Sequence, residues 1–178
     1  MKQILKGLIA AGVLLTAGQL NAQSLKPVTI GIAAGAAIPV GDLADAYNTG
    51  YNGTIALALN SVGSPIGFRI DGMYNKVMGR DDIGFNQPDA RILGATANLV
   101  YALPGTGIRP YLIGGAGYYS AKVDVDNASS DNKFGLNGGI GAVFPLSGFS
   151  TFVEARYHHM FTDVSATQFI PVTFGIFF

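Results

Sequence analysis

The sequence predicts an all-β fold, an eight-stranded antiparallel up-and-down transmembrane β-barrel, and three observations lead to this prediction. The mean hydropathy is +0.35 and charged residues make up 12% of the chain, about half the fraction usual in soluble domains. Beyond residue 22, however, no apolar run reaches the roughly 18 residues that a transmembrane helix needs. Apolar residues instead alternate with small or polar ones, as they do in strands that present one face to lipid.

Residues 1–22 are predicted to be a secretory signal peptide, and residues 23–178 a single barrel domain. Lys2 and Lys6 form a basic n-region, an apolar stretch covers residues 8–17, and Ala22 precedes the predicted cleavage site. Without this segment the acidic side chains outnumber the basic ones by two, which gives no support for a nucleic-acid partner. The chain has no Cys, so disulfides, thiol catalysis and thiolate metal sites are excluded.

Eight alternating segments follow one another, each about as long as a tilted strand must be to cross the hydrocarbon layer. They are Val28–Ile38, Tyr51–Leu59, Ile66–Lys76, Arg91–Leu103, Tyr111–Ala121, Phe134–Phe144, Thr151–His159 and Ile170–Phe178. In the second segment, for example, Ile55 and Leu57 are predicted to face lipid, and Thr54 and Ala56 to face the lumen. The fifth segment is ambiguous; there we favour an outward set of Leu112, Gly114, Ala116 and Tyr118.

The connections between these segments are predicted to alternate between long and short. The long ones cover residues 39–50, 77–90, 122–133 and 160–168 and hold most of the acidic residues, whereas the short ones are rich in Pro, Gly and Ser. An even number of strands returns both termini to one side of the membrane. Since a signal peptide starts the chain in the periplasm, the turns are predicted to be periplasmic and the long loops extracellular.

Four charged residues fall inside the predicted strands, away from the strand ends, and all four lie on inward faces. They are Arg69, Asp71, Glu154 and Arg156. On the lipid face an Arg near the midplane would cost about 2–4 kcal/mol, so the inward placement is strongly favoured. We expect the two positive and two negative groups to form a neutral network that plugs the lumen, because eight strands enclose little more than side chains. A gated ion path through these charges is the alternative.

No catalytic, cofactor-binding or metal-binding residue is predicted. His158 and His159 are adjacent on a strand and therefore face opposite sides, so they cannot form one two-ligand site. The segment 124–131 is acidic but lacks the Gly and Glu positions of a calcium-binding loop. It is interpreted as a solvated loop.

The predicted signal peptide and four stretches of sequence, taken in order, carry a family resemblance. The stretches are Gly31–Asp42, Arg109–Tyr118, Phe152–Tyr157 and the C-terminal strand, which ends on an aromatic residue. The chain resembles the outer-membrane-protein-A-like or opacity-type eight-stranded barrels, without a peptidoglycan-binding domain. The resemblance implies a bacterial outer-membrane location, outer-membrane lipids around a monomer, and barrel-assembly machinery and periplasmic chaperones as partners during biogenesis. It also implies an insertion signal formed by Val172, Phe174, Ile176 and Phe178.

The functional expectation is a non-enzymatic envelope protein that contributes structure and presents extracellular loops for adhesion or recognition of a ligand not yet identified. One alternative is a narrow channel for ions or small solutes. A second is a lipid A-modifying outer-membrane enzyme, because some eight-stranded barrels carry a His and a Ser on the outer surface for that reaction. Here His159 has no nearby Ser in sequence before Ser165.

Overall fold

The computed structural model describes residues 27–60, 63–80, 87–105, 107–125, 128–162 and 167–178. Within these ranges the chain forms eight antiparallel strands and one short helix. The strands are β1 (Val28–Val40), β2 (Tyr47–Asn60), β3 (Ile66–Gly79), β4 (Ala90–Ala102), β5 (Arg109–Val123), β6 (Asp131–Pro145), β7 (Ser150–Met160) and β8 (Thr167–Phe177). Each strand pairs with the next, and β1 pairs with β8, so the sheet closes into a barrel and the predicted fold is confirmed. The predicted signal peptide and Ser165 lie outside the described residues.

The predicted inward and outward faces of the strands are confirmed. In β2, Ile55 is 64% exposed and its neighbour Ala56 only 2% exposed. In β5, where the sequence was ambiguous, Leu112 and Tyr118 lie on the outer surface, and Tyr111 and Tyr119 are buried in the interior. Thr151 is buried although it has outward parity, and its partners across the neighbouring strands are Phe144 and Ile176.

The predicted loops were too long, because most strands continue past the alternating apolar pattern. β2 begins at Tyr47 rather than Tyr51, and β6 begins at Asp131 rather than Phe134. The first connection also holds a short helix, α1 (Asp42–Ala46), where a loop was predicted. Alternation of apolar residues marks only the part of a strand that contacts lipid. The backbone hydrogen bonds between neighbouring strands continue beyond it into the aqueous region.

The outer surface carries an apolar belt bordered by aromatic side chains at both ends. Tyr51, Tyr118 and Phe134 are exposed at the end near α1, and Tyr101 and Phe178 at the opposite end. From Ile66 to Tyr74 on β3 the belt is roughly 20 Å high, taking ~3.3 Å per residue and a tilt of ~40°. This arrangement is typical of a barrel embedded in a membrane. Among the described residues, no helix is both long and apolar enough to cross a membrane.

Candidate functional site in the barrel interior

All four inward charges meet at one level of the lumen. Strands β3 and β7 lie on opposite sides of the closed sheet, so Arg69 and Asp71 face Glu154 and Arg156 across the interior. Arg69 Nη2 lies 2.9 Å from Glu154 Oε1, and Arg156 Nη1 lies 2.9 Å from Asp71 Oδ2. Each Arg also contacts the acid on its own strand: Arg69 Nε lies 2.9 Å from Asp71, and Arg156 pairs with Glu154. Every guanidinium therefore contacts both carboxylates, and each of these side chains is at most 5% exposed.

Neutral polar side chains complete this charge network. The Tyr111 hydroxyl donates a hydrogen bond to Glu154 at 2.7 Å. The Asn98 amide donates to Asp71 at 2.8 Å and to the Thr96 hydroxyl at 2.9 Å. Burying charges is costly, and these two side chains add one hydrogen bond to each carboxylate besides the contacts from the two Arg. The sequence pattern did not identify Tyr111 as part of this layer, because a tyrosine also occurs on the outer face of the same strand.

An aromatic layer lies directly above the network, toward α1. The Tyr119 hydroxyl lies 2.8 Å from His158 Nδ1, and the His158 ring stacks on Phe169 with centroids 4.9 Å apart. The sequence left room for the Tyr119 ring, because β4 and β6 carry Gly94 and Gly135 beside it. A Cβ at Gly94 would lie 2.9 Å from a Tyr119 ring carbon, and one at Gly135 would lie 3.0 Å from another.

Apolar side chains fill the lumen above this aromatic layer. Met73, Ile92 and Met160 pack with Tyr119 and Phe169, and each of these five side chains is at most 6% exposed. Leu43 of α1 packs on this group from above, so the helix missed by the sequence analysis caps the lumen. A further group of Ala37, Val77 and Ala90 is buried nearby, with Tyr47 packed against it.

The lumen is more open below the network, at the end with the short turns. A cavity of about 100 Å³ lies there, lined among others by Arg69, Tyr111, Arg109 and Phe177. Phe177 faces inward and stacks on Phe152 with centroids 4.5 Å apart. Arg69 and Tyr111, which belong to the charge network, therefore form part of the wall of this cavity.

The remaining candidate residues lie on the outer surface. The predicted insertion signal faces outward: Phe174 and Phe178 are 54% and 55% exposed, and Val172 and Ile176 are partly exposed. His159 also faces outward, with its Nδ1 3.3 Å from the Gln168 amide nitrogen. His158 and His159 thus point to opposite sides. Within the described part of the chain no cluster of three His, Asp or Glu side chains could hold a metal ion.

Solved structures with this architecture include several outer-membrane proteins. Neisserial surface protein A shares 15% identity over 85% of this chain and 96% of its own, with a TM-score of 0.67. The N-terminal β-barrel domain of Pseudomonas aeruginosa OprF shares 13% identity over 88% and 100%, with a TM-score of 0.52. Yersinia pestis Ail shares 18% identity over 84% and 99%, with a TM-score of 0.51. At these identities the likeness shows the fold alone.

No curated protein matches the sequence. The family model described as "Outer membrane protein beta-barrel domain" matches residues 7–175. This match spans nearly the whole chain and agrees with the closed barrel, its apolar belt and its polar interior. The chain therefore belongs to the outer membrane protein β-barrel family, whose members are embedded in the bacterial outer membrane.

Proposed function

We propose that this protein is a non-enzymatic, monomeric outer-membrane barrel with a closed lumen, which contributes to envelope structure and presents one rim for adhesion or recognition. The observation that carries the proposal is the filling of the interior. Within the described residues, a neutral charge network, the Tyr119–His158–Phe169 layer and the apolar group beneath Leu43 follow one another along the lumen. An eight-stranded barrel can be filled by its own side chains, and a filled barrel does not conduct.

We further propose that the rim around α1 is extracellular and that both ends of the barrel domain are periplasmic. The connections at the opposite end contain Pro and Gly and take tight turns, with positive φ at Gly63, Gly107 and Gly148. Short periplasmic turns and a more polar outer rim are the usual arrangement in this class of barrel. Since the strands extend past the apolar belt, the recognition surface would consist of strand ends as well as loops.

Biogenesis would follow from the outward-facing C-terminal strand. Val172, Phe174, Ile176 and Phe178 form one apolar edge on the outer surface, which is available to barrel-assembly machinery before the barrel closes. Periplasmic chaperones would have to shield the same strand during transit, because an unpaired apolar strand promotes aggregation.

Single-channel recording in planar bilayers tests the closed lumen. The wild-type protein is expected to give no stable conductance steps in concentrated KCl. A Tyr119→Ala/Phe169→Ala variant removes two rings of the aromatic layer but leaves the charge network below it, so it should also give no stable steps. Conduction is expected only when Arg69→Met and Glu154→Gln are added to it. A matched pair of outward aromatic changes, Tyr118→Ala with Phe134→Ala, should remain silent. Stable wild-type conductance would overturn the proposal and favour the ion or solute channel.

Two further measurements address the surface and the enzymatic alternative. Replacing residues 124–130 by a short turn is expected to reduce binding of cells to host or envelope components, whereas changes in the turn 146–149 should not. Mass spectrometry of lipid A from expressing cells should show the same lipid A as from cells without the protein. A modified lipid A that disappears with His159→Ala would instead establish the lipid-modifying enzyme.

A further inference from the structure

Three basic side chains form one row on the lipid-facing side of β3, β4 and β5. Lys76 lies opposite Arg91 in the sheet register, and Arg91 lies opposite Lys122. All three have the outward parity of Tyr74, Leu93 and Tyr118, and Tyr51, which borders the apolar belt, lies opposite Lys76 on the same register line. This basic row therefore lies at the level of lipid headgroups. Neighbouring strands are ~4.8 Å apart, so the row spans about 10 Å.

Two carboxylates orient the basic row without neutralising it. Asp89 lies 3.0 Å from Lys76, and Asp124 lies 3.4 Å from Lys76 and 2.5 Å from Arg91. The Gly79 backbone N–H and the Lys76 ammonium both donate to Asp89 and hold the pKa of its carboxyl below the usual value. Three cations against two carboxylates leave a formal charge of one positive unit. Within the described ranges, the Arg91 Nε–H has no acceptor, and the ion pairs at this rim join Lys76, Arg91 and Lys133 to acidic side chains but do not include Lys122.

A broad apolar concavity lies on the outer surface directly below the basic row. One register line runs across its floor through five strands: Ile32, Ile55, Gly72, Ala95 and Tyr118. The next line toward the basic row contains Gly53, Tyr74 and Leu93. A Cβ at Gly53 or Gly72 would meet nothing within 4 Å, so the surface is recessed there between larger side chains. From β1 to β5 the concavity is about 19 Å wide.

We propose that this face binds one glycolipid that carries two phosphates and several acyl chains, with the phosphates on the basic row and the chains in the concavity. The charge of the row matches an anionic headgroup, and charge-assisted contacts from Lys and Arg are the usual means of binding phosphate. A row that spans three strands can contact two separate phosphates, whereas a lipid with one phosphate would use only part of it. A concavity five strands wide accommodates more than the two chains of a phospholipid.

The inference rests on the proposed orientation, in which this rim faces the outer leaflet. Its test measures lipid preference and depends neither on that orientation nor on conductance. Folded protein in detergent micelles is titrated with bisphosphorylated lipid A, and native mass spectrometry counts the barrels that carry one lipid. Monophosphorylated lipid A and phosphatidylglycerol are the comparison lipids. We expect the apparent affinity for bisphosphorylated lipid A to exceed that for either comparison lipid by about tenfold, the value of one charge-assisted contact.

Matched variants test whether the basic row and the concavity bind the lipid specifically or whether any change of charge or side-chain volume has the same effect. Lys122→Gln is expected to lower the affinity for bisphosphorylated lipid A about tenfold. Lys133→Gln is the matched control, because it removes the same charge at the same rim. Lys133 faces inward and pairs with Asp131, so this variant should leave the affinity unchanged. Gly72→Leu fills the concavity and should also weaken binding. Gly138→Leu adds the same bulk on the outer face of β6, where a Cβ would meet only one atom at 3.9 Å, and should not.

Several outcomes would overturn the proposal. Equal affinity for phosphatidylglycerol would show that two phosphates are not recognised. Equal losses in Lys122→Gln and Lys133→Gln would reduce the effect to net charge. A protein dimer that is lost on Gly72→Leu would show that a second copy occupies the concavity instead. The heat-induced gel shift of each variant checks that its barrel has formed, and Lys122→Gln alone remains a sufficient test if Gly72→Leu does not fold.

Discussion

Removing one member of the lumenal charge network should destabilise the barrel far more than removing a matched pair. Glu154→Gln takes a carboxylate from Arg69 at 2.9 Å, from Arg156, and from the Tyr111 hydroxyl at 2.7 Å, and leaves one positive charge in excess. Arg69→Met leaves one negative charge in excess. Breaking a buried pair in this way costs about 3–5 kcal/mol.

The double variant Arg69→Met/Glu154→Gln keeps Asp71 and Arg156, which are paired at 2.9 Å and together neutral. The double variant should therefore lose less free energy of unfolding than the two single variants lose together. We expect the difference to be about 2–3 kcal/mol, in the upper part of the range for residues in one network. The pair Asp71→Asn/Glu154→Gln is the matched control. It leaves two guanidinium groups side by side without a counterion, so its cost should equal or exceed the sum of its singles.

Urea unfolding of the barrel in lipid vesicles measures these free energies. The chain has no Trp, so far-ultraviolet circular dichroism and the gel shift of the folded form serve as readouts. Additivity within about 0.5 kcal/mol in the Arg69–Glu154 cycle would show that the two side chains do not interact across the lumen. The electrostatic explanation would be contradicted if the control pair lost less free energy of unfolding than the sum of its single variants. Removing a second negative charge cannot restore neutrality after the first has been removed.

Three other predictions concern insertion, strand facing and orientation. Phe178→Ser is expected to slow insertion and to leave protein in the periplasm; normal abundance of the heat-modifiable barrel in the outer membrane would refute the assigned insertion role. Ile55→Arg places a charge on a side chain 64% exposed to lipid and should cost about 2–4 kcal/mol, whereas Thr54→Arg faces the lumen and should assemble better; equal defects in a folding gel would count against this. Because the chain has no Cys, Ser129→Cys and Ser147→Cys can be labelled singly: a membrane-impermeant maleimide should modify only the first in intact cells, and the reverse result would invert the proposed orientation.

The sequence predicted the parts of the fold that lipid imposes. Outward residues such as Ile55 and Phe174 must be apolar along the whole crossing, so the period of two was readable and the facing of the strands followed. The four inward charges could be assigned for the same reason, since the lipid face excludes them. The distance of 2.9 Å between Arg69 Nη2 and Glu154 Oε1 could not be predicted in this way. It depends on the register between strands, which alternation alone does not specify.

The interior above the charges could not be predicted, because lumen-facing positions accept both polar and apolar residues. Tyr119 and Phe169 are large, apolar and inward, contrary to the simple rule that a barrel interior is polar. A signal was present in the glycines at 94 and 135, which leave room for a ring on the strand between them. Helix α1 was also missed, because five residues are too few to show a helical period.

The pairing of β1 with β8 has a consequence for the order of the chain. Gly31 lies opposite Phe177, and the Phe178 backbone N–H donates to the Ile30 carbonyl at 2.9 Å, so the first and last strands are neighbours like any other pair. A circular permutant that joins the two ends and opens the chain within residues 146–149 would keep the same ring of strands. In that permutant β6 becomes the last strand and closes the barrel by pairing with β7, whereas β8 becomes an internal strand between β7 and β1. The proposed insertion signal on β8 and the strand that closes the barrel would then be two different strands, whereas β8 combines both in the natural chain order.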